Sequence, residues 1–150
     1  MRRAIELARE GVEAGLGGPF GAVVVKDGKI IAEGQNCVPS SNDPTAHAEV
    51  VALRRACEKL EAFHLTGCVV YASCEPCPMC LSALYWAHVD CVYFAGTRID
   101  AAQAGFDDEM LYRELATPIE ARKLPLKRVL GDEVTPVFEA WKQKSDRVDY

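Results

Sequence analysis

The chain has 150 residues, a length that fits one domain with a core of its own. Hydrophobic residues make up 49% and charged residues 26%, the profile of a globular protein. The net charge of −5 argues against a large nucleic-acid-binding surface, because proteins that bind polyanions usually carry a basic face. No apolar run is as long as a membrane span, and "MRRAIELAREG" turns acidic too soon for a secretory signal, so we expect a cytoplasmic protein.

The first part of the chain predicts a helix followed by a hairpin. The helix has one apolar stripe at helical spacing, formed by Ile5, Ala8, Val12 and Leu16. Glycines at positions 15, 17 and 18 end this pattern. The stretch "FGAVVVKDGKIIAEGQN" then predicts two strands, and Asp27-Gly28 between them is typical of a hairpin turn.

The remaining elements alternate between helix and strand. A second amphipathic helix is predicted to begin near Ala46, and a third covers residues 78–87 with a proline in its first turn. Strands are predicted over residues 68–72 and 91–95, where β-branched and aromatic residues are frequent. Weaker patterns predict a helix over residues 108–115, a strand over 127–130 and a helix over 136–144.

This alternation predicts an α/β protein with three layers, in which helices cover a mostly parallel sheet. Ligands of such sheets bind beyond the carboxyl ends of the strands, where the next helices begin. The two most unusual stretches of the sequence, "TAHAEV" and "SCEPCPMC", both fall at strand-to-helix junctions. We therefore expect them to meet in space.

Metal-binding residue types open two of the predicted helices. Cys77 and Cys80 are three positions apart, close enough to bind one ion, and a helix N-terminus favours the thiolate forms that coordinate metals. His47 and Glu49 are two positions apart, a rotation of about 200° that keeps them off a common helix face. Both can reach one point only if their helix meets it end-on. The sequence therefore predicts zinc held by His47, Cys77 and Cys80, with Glu49 beside it.

This set of ligands predicts a catalytic metal centre. Three protein ligands leave the fourth tetrahedral position of zinc to a catalytic water molecule, whose pKa the ion lowers towards neutrality. Glu49 can take a proton from that water and pass it to a leaving group. Attack of water on an amino-bearing ring carbon, with loss of ammonia, is hydrolytic deamination. The combination of H-x-E with P-C-x-x-C is a signature of zinc nucleobase deaminases.

Two other interpretations of the cysteines remain open. Cys74 forms a second C-x-x-C motif with Cys77, and a lone motif of this kind can be a redox pair. Cys74 could also be a fourth zinc ligand, which would close the site and make the protein a structural zinc module for interactions. The position of "HAE" at a second helix start favours the catalytic interpretation.

The motifs "DPTAHAEV" and "SCEPCPMCLSALYWA" resemble the cytidine deaminase-like superfamily. The closer resemblance is to bacterial guanine deaminases, and it extends over nearly the whole chain through "GGPFGAVVVKDGKIIAEGQN" and "DAAQAGFDDEMLY". It implies a single domain over residues 1–150 with a three-layer α/β/α fold and a central mixed sheet of about five strands. It also implies one zinc ion per subunit and the conversion of guanine to xanthine and ammonia.

The resemblance implies roles for four further residues. Asn36 would hydrogen-bond the purine, although asparagine at this position could also be an ordinary turn residue. Asp108 would contact the purine and assist proton transfer to the departing amine, whereas its competing interpretation is an acidic helix start. Phe20 would stack on the base. Tyr150 would reach the substrate from a C-terminal segment, over about residues 131–150, that acts as a lid or as an arm exchanged between subunits.

The resemblance further implies a homodimer, for which Tyr85 and Trp86 are candidate interface aromatics. A purine is the expected small-molecule partner, and no nucleic acid or membrane partner is expected. The alternative substrates are tRNA adenosine, which would require phosphate contacts, and cytosine or cytidine. All share the zinc mechanism, because C4 of cytosine and C2 of guanine both carry an amino group beside a ring nitrogen.

Overall fold

The computed structural model describes residues 1–149, and the chain divides into two compact units at Asp108 and Glu109. The first unit contains nine elements: α1 (Arg2–Glu13), β1 (Gly21–Lys26), β2 (Lys29–Gln35), α2 (Val38–Ser41), α3 (Ala48–Leu60), β3 (Cys68–Cys74), α4 (Pro78–Trp86), β4 (Cys91–Gly96) and α5 (Arg98–Gln103). The second contains α6 (Glu109–Ala116), a 3₁₀ turn (Ile119–Ala121) and α7 (Thr135–Gln143).

The sheet of the first unit has four strands in the order β2-β1-β3-β4. The predicted hairpin is present, since β1 and β2 pair antiparallel on either side of Asp27 and Gly28. Both turn residues have positive φ, as a tight hairpin turn requires. β1 also pairs antiparallel with β3, and β3 pairs parallel with β4.

The mixed sheet implied by the resemblance is confirmed, whereas the expectation of a mostly parallel sheet is wrong. The connection from β2 through α3 to β3 passes over β1, which lies between those two strands and runs opposite to both. The alternation of helices and strands along a sequence does not show which strand lies in the middle of the sheet. The sheet also has four strands rather than about five, because residues 127–130 form no strand within the described chain.

Two core clusters pack on opposite faces of the sheet and define the three layers. The larger cluster lies between the sheet and α3 and α4, with Val24 and Val70 facing Ala52 and Leu84. The smaller one packs α1 against Val23 on the other face.

The buried face of α1 lies about one position away from the predicted apolar stripe. Ile5 and Val12 are about half exposed, whereas the buried face consists of Ala4, Leu7, Ala8 and Gly11. Small residues form this face because the backbone of β1 approaches closely: a Cβ placed on Gly21 would lie 2.3 Å from the carbonyl oxygen of Ala4.

The second unit buries none of its apolar side chains within the described chain. The predicted helices at residues 108–115 and 136–144 are present as α6 and α7, with boundaries shifted by one residue. An apolar stripe at i, i+3, i+4 and i+7 lies exposed along α7, formed by Val134, Val137, Phe138 and Trp141.

Among residues 1–149, no helix is long and apolar enough to cross a membrane.

A close backbone approach also fixes α3 against the sheet. A Cβ on Gly34 of β2 would lie 2.2 Å from the carbonyl oxygen of Ala48 and 2.6 Å from the nitrogen of Ala52. Neither backbone atom can move without shifting the first turn of α3. Glycine is therefore required at position 34 for steric reasons.

We expect Gly34→Ala to lower the free energy of unfolding by about 3 kcal/mol, at the upper end for overpacking, because its new methyl group meets backbone. Gly11→Ala in α1 is the matched control: its Cβ would make ordinary contact with Gln35 at 3.6 Å, so a gain of about 0.5–1 kcal/mol is expected. Chemical denaturation measures both variants. Equal stability of the two variants would show that the Gly34 contact is not a steric limit.

Candidate active site

The start of α3 presents His47 to the site. His47 is the N-cap residue, with an extended backbone (φ −69°, ψ 153°), so its side chain leaves the helix at its end rather than along its side. Glu49 lies in the first turn and is buried, with 7% of its surface exposed. This arrangement explains the spacing of two positions, because one residue precedes the helix and the other belongs to it.

The start of α4 presents the two thiols. Cys77 is the N-cap residue, Pro78 follows in the first turn, and Cys80 is buried one turn into the helix. Proline suits this position because the first backbone N–H groups of a helix have no intrahelical partner. The two helix starts thus bring three candidate ligands together.

The distances between the three ligand atoms fit a zinc ion. Nδ1 of His47 lies 3.6 Å from Sγ of Cys77 and 3.5 Å from Sγ of Cys80, and all three atoms lie within 4.8 Å of one another. A tetrahedral zinc with bonds of about 2.0 Å to nitrogen and 2.3 Å to sulfur separates such atoms by about 3.6 Å. His47, Cys77 and Cys80 can therefore bind one ion, as the sequence predicted.

Hydrogen bonds among the three groups shift their pKa values in opposite directions. A hydrogen bond from the Cys80 thiol, followed by one from His47, lowers the pKa of Cys77 to about 4. The same contact with Cys77 raises the pKa of Cys80, and the Cys77 sulfur raises the pKa of His47. A cation bound at this point would replace the proton shared by the two sulfurs.

Glu49 adjoins the ligands on the buried side. Its Oε2 atom accepts a hydrogen bond from the Cys80 thiol at 3.4 Å. Burial raises the pKa of the Glu49 carboxyl, because desolvation disfavours the charged form. A carboxyl group with a raised pKa beside a metal site is suited to hold and release a proton.

Cys74, the candidate fourth ligand, does not belong to the cluster of ligand atoms. Its thiol donates to the backbone carbonyl of Thr97 at 3.4 Å, at the end of β4. The ligand atoms that lie within 4.8 Å of one another are those of His47, Cys77 and Cys80. The geometry therefore favours an open fourth position.

Asn36 is buried, with 6% of its surface exposed, directly after β2. Its carboxamide oxygen accepts from the backbone N–H groups of Gly18 and Val38, both at 3.2 Å. These two bonds fix the orientation of the amide and leave its NH₂ group to donate. A Cβ on Gly17 would lie 2.3 Å from that oxygen, so position 17 requires glycine. The glycine pair at positions 17 and 18 is therefore the feature of the sequence that reflects the buried position of Asn36.

An aromatic pair lies next to Asn36. Phe20 and Phe106 meet edge to face, with ring centroids 4.9 Å apart and planes at 85°. Ring atoms of both would lie 3.0–3.1 Å from a Cβ on Gly18, so a side chain at this position would require the rings to shift. Phe20 was predicted at the site, whereas Phe106 was missed because a single phenylalanine in a loop carries no periodic or motif signal.

Asp108 is partly buried, two residues after Phe106. Burial raises the pKa of its carboxyl, and the nearby Cys77 thiolate raises it further, while Arg98 lowers it. The interaction with Cys77 places Asp108 within electrostatic reach of the candidate metal site. Tyr150, the remaining predicted site residue, lies outside the described residues.

Comparison with known proteins defines the class. The family model of the cytidine and deoxycytidylate deaminase zinc-binding region matches residues 1–96, which contain His47, Glu49, Cys77 and Cys80. The chain belongs to this family of zinc-dependent deaminases. The zinc cofactor predicted from the sequence is confirmed at the level of the family.

Within this class, the chain is similar over its full length to guanine deaminase of Bacillus subtilis, with 55% identity over 150 residues that cover 100% of this chain and 96% of that protein. The crystal structure of guanine deaminase from Bacillus subtilis matches with a TM-score of 0.95 over 99% of this chain and 95% of that one. The cytidine deaminase-like α/β fold is thereby confirmed.

More distant relatives cover less of the chain. The guanine deaminase structure from Nitrosomonas europaea has a TM-score of 0.69 and 35% identity, and the match covers 72% of this chain and 63% of that one. A tRNA-specific adenosine deaminase of Aquifex aeolicus is 44% identical over 77 residues, which are 51% of each protein.

The geometry predicts that Cys74→Ser retains one zinc ion per chain, whereas Cys80→Ser loses it, because only Cys80 belongs to the ligand set. Glu49→Gln should also retain zinc, since its carboxyl is not a ligand. Atomic absorption on purified variants measures the zinc content. Loss of zinc from Cys74→Ser as well as from Cys80→Ser would support the closed structural site.

Proposed function

We propose that this protein catalyses the zinc-dependent hydrolysis of guanine to xanthine and ammonia. The observation that carries the reaction type is the placement of Glu49, 3.4 Å from Cys80 and beside a His/Cys/Cys set that fits zinc. Similarity to the Bacillus subtilis guanine deaminase over the whole chain supports guanine as the substrate.

Glu49 is the proposed proton carrier. When bound, zinc supplies a Lewis acid that lowers the pKa of water in the open fourth position. Glu49 accepts a proton as the water oxygen attacks C2 of guanine, and it returns that proton to the departing amine. The C2–N bond breaks, ammonia leaves, and C2 carries the new oxygen of xanthine. Burial of Glu49 supports this role, because its raised pKa makes the protonated state accessible.

The residues around Asn36 support purine binding. The fixed amide offers NH₂ donors, and purines present ring nitrogen and carbonyl acceptors. Phe20 and Phe106 form an aromatic wall next to this donor, suited to a flat heterocycle. Asp108, with its raised pKa, is proposed as a second acidic group that contacts the purine and assists loss of the amine.

We also propose that the protein acts on a free base rather than on tRNA. The chain carries a net charge of −5, and phosphate contacts require basic surface. Similarity to tRNA-specific adenosine deaminases covers 51% to 73% of the chain, whereas similarity to guanine deaminase covers all of it. A cytoplasmic location is proposed because Cys77 and Cys80 must remain reduced to bind zinc.

A homodimer is proposed from two apolar surfaces of the single chain. In the second unit, the stripe Val134, Val137, Phe138 and Trp141 lies exposed along α7. In the first unit, Tyr85 of α4 is 76% exposed. A second copy would bury such surfaces, and an arm formed by the C-terminal segment is one way to do so. A lid formed by the same segment is the other arrangement that the sequence suggested.

The function is tested by ammonia release from zinc-loaded protein offered guanine, cytosine, cytidine, adenosine and tRNA in parallel. Guanine should be the preferred substrate, and Glu49→Gln should retain zinc while losing about 10²–10⁴-fold in turnover. Activity on tRNA alone would refute the proposed substrate but not the zinc chemistry.

The adjacent residues Asp108 and Asp107 allow a variant and its control to be compared in the same assay. Asp108→Asn should lower guanine turnover by at least about 10-fold without loss of zinc, because the amide cannot carry a proton to the amine. Asp107→Asn, a change of the same chemistry at an exposed position, should have a small effect. Equal activity of the two variants would exclude Asp108 from catalysis.

The proposed dimer predicts twice the mass of one chain, 2 × 16.4 kDa, by multi-angle light scattering. Trp141→Glu on the exposed stripe of α7 should weaken association, because a charge would be buried at the interface. Lys142→Glu, next to it on the same helix, is the control. A monomeric wild-type protein at micromolar concentration would contradict the dimer.

A further inference from the structure

The start of α3 lacks the side chain that usually stabilises a helix N-terminus. Its N-cap residue is His47, whose side chain makes no capping hydrogen bond. The imidazole cannot do so, because it lies 3.5–3.6 Å from the two thiols. Replacing a capping side chain by one that does not cap usually destabilises a helix N-terminus. Some other contact must therefore hold His47 in place.

The lead-in to His47 is held by a compact turn. The Oδ1 atom of Asp43 accepts from the backbone N–H of Thr45 at 2.8 Å and from its hydroxyl at 2.7 Å. The backbone carbonyl of Asp43 accepts from Ala46, and that of Thr45 accepts from His47 at 2.8 Å. One hydrogen bond thus ties the backbone of His47 to that of Thr45, so a shift of Thr45 would also move His47.

Arg54 joins this turn to the body of α3. One guanidinium nitrogen lies 3.2 Å from Oδ2 of Asp43, and the other donates to the hydroxyl of Thr45 at 3.1 Å. Arg54 follows His47 by seven residues, about two helical turns, so both lie on one side of the helix. Helical side chains point towards the N-terminus, which lets Arg54 reach back to the turn.

We propose that Thr45 and Arg54 are positioning residues that fix the imidazole of His47 for zinc binding. The proposal rests on the zinc chemistry of the family and not on guanine as the substrate. Contacts that orient a metal ligand without touching the metal typically change metal affinity by about 10–100-fold when removed. Thr45 and Arg54 act through the backbone, so the lower end of this range is expected.

Solvent exposure distinguishes positioning from a role in global stability. The side chains of Arg54 and Asp43 are 59% and 35% exposed. Ion pairs with this exposure contribute little to the free energy of unfolding. Loss of the contact should therefore affect zinc affinity more than the melting temperature. Lysine cannot replace Arg54, because a point charge does not bridge two acceptors as a planar guanidinium does.

The test compares four variants. Thr45→Val removes the hydroxyl that bonds both partners and keeps the side-chain shape, whereas Thr45→Ser restores the hydroxyl. Arg54→Lys keeps the charge but not the bridge. Arg55→Lys is the matched control, since Arg55 donates to the carbonyl of Glu33 in β2 and not to the turn. Zinc affinity is measured by competition with a chromophoric chelator, and ligand geometry by the visible spectrum of the cobalt-substituted protein.

We expect about 10-fold weaker zinc binding and an altered cobalt spectrum for Thr45→Val and Arg54→Lys, with melting temperatures close to that of the wild type. Thr45→Ser and Arg55→Lys should match the wild type. Unchanged affinity in Arg54→Lys, or an equal loss in Arg55→Lys, would overturn the proposal. If Thr45→Val does not fold, Arg54→Lys decides. No substrate enters these measurements, so their result is independent of the guanine assay.

Discussion

Two helices that meet a common point with their N-termini are the constraint on which the rest of the site depends. Each helix starts with a metal-ligand side chain at its N-cap position, His47 for α3 and Cys77 for α4. Ligands at N-caps leave the helix axis and can converge, whereas ligands inside a helix must share one face. The arrangement also aims the positive ends of both helix dipoles at the thiolates and at Glu49.

This convergence makes charge the central problem of the site. Two thiols, an imidazole and a carboxyl group share a largely buried space, and they cannot all carry their usual charges. Burial raises the pKa of Glu49, and the hydrogen bond between the two thiols lowers the pKa of Cys77 to about 4 while it raises that of Cys80. A divalent cation removes the conflict by neutralising both sulfurs. Metal binding and the order of the site are therefore coupled, as in other zinc domains.

The chemistry of the site could be predicted from the sequence because it is local. His47 and Glu49 occupy one helix start and Cys77 and Cys80 another, so short motifs contain the relevant spacing. Phe106 and Arg54 could not be predicted in this way. Phe106 meets Phe20 across 86 positions of sequence, and an arginine on an exposed helix face is usually only a solvated charge.

The three layers of the fold could be predicted from the sequence, whereas the buried face of α1 and the direction of the strands could not. The buried face of α1 consists mainly of alanine and glycine, which carry little hydrophobic signal, so the larger Ile5 and Val12 indicated the wrong stripe. The direction of the strands depended on which strand lies in the middle of the sheet, a tertiary property. Residues 127–130 carry only a short apolar pair, Val129 and Leu130, and form no strand within the described chain.

A glycine in β2 connects the two halves of the site. Gly34 lies two residues before Asn36, and the Ala48 carbonyl that it meets precedes Glu49. The lack of a side chain at position 34 brings the end of β2 against the first turn of α3. The donor that faces the substrate and the carboxyl that moves the proton are thus carried by two backbones in direct contact. A larger residue at position 34 would separate them, and neither side chain could restore the distance without distorting its own element.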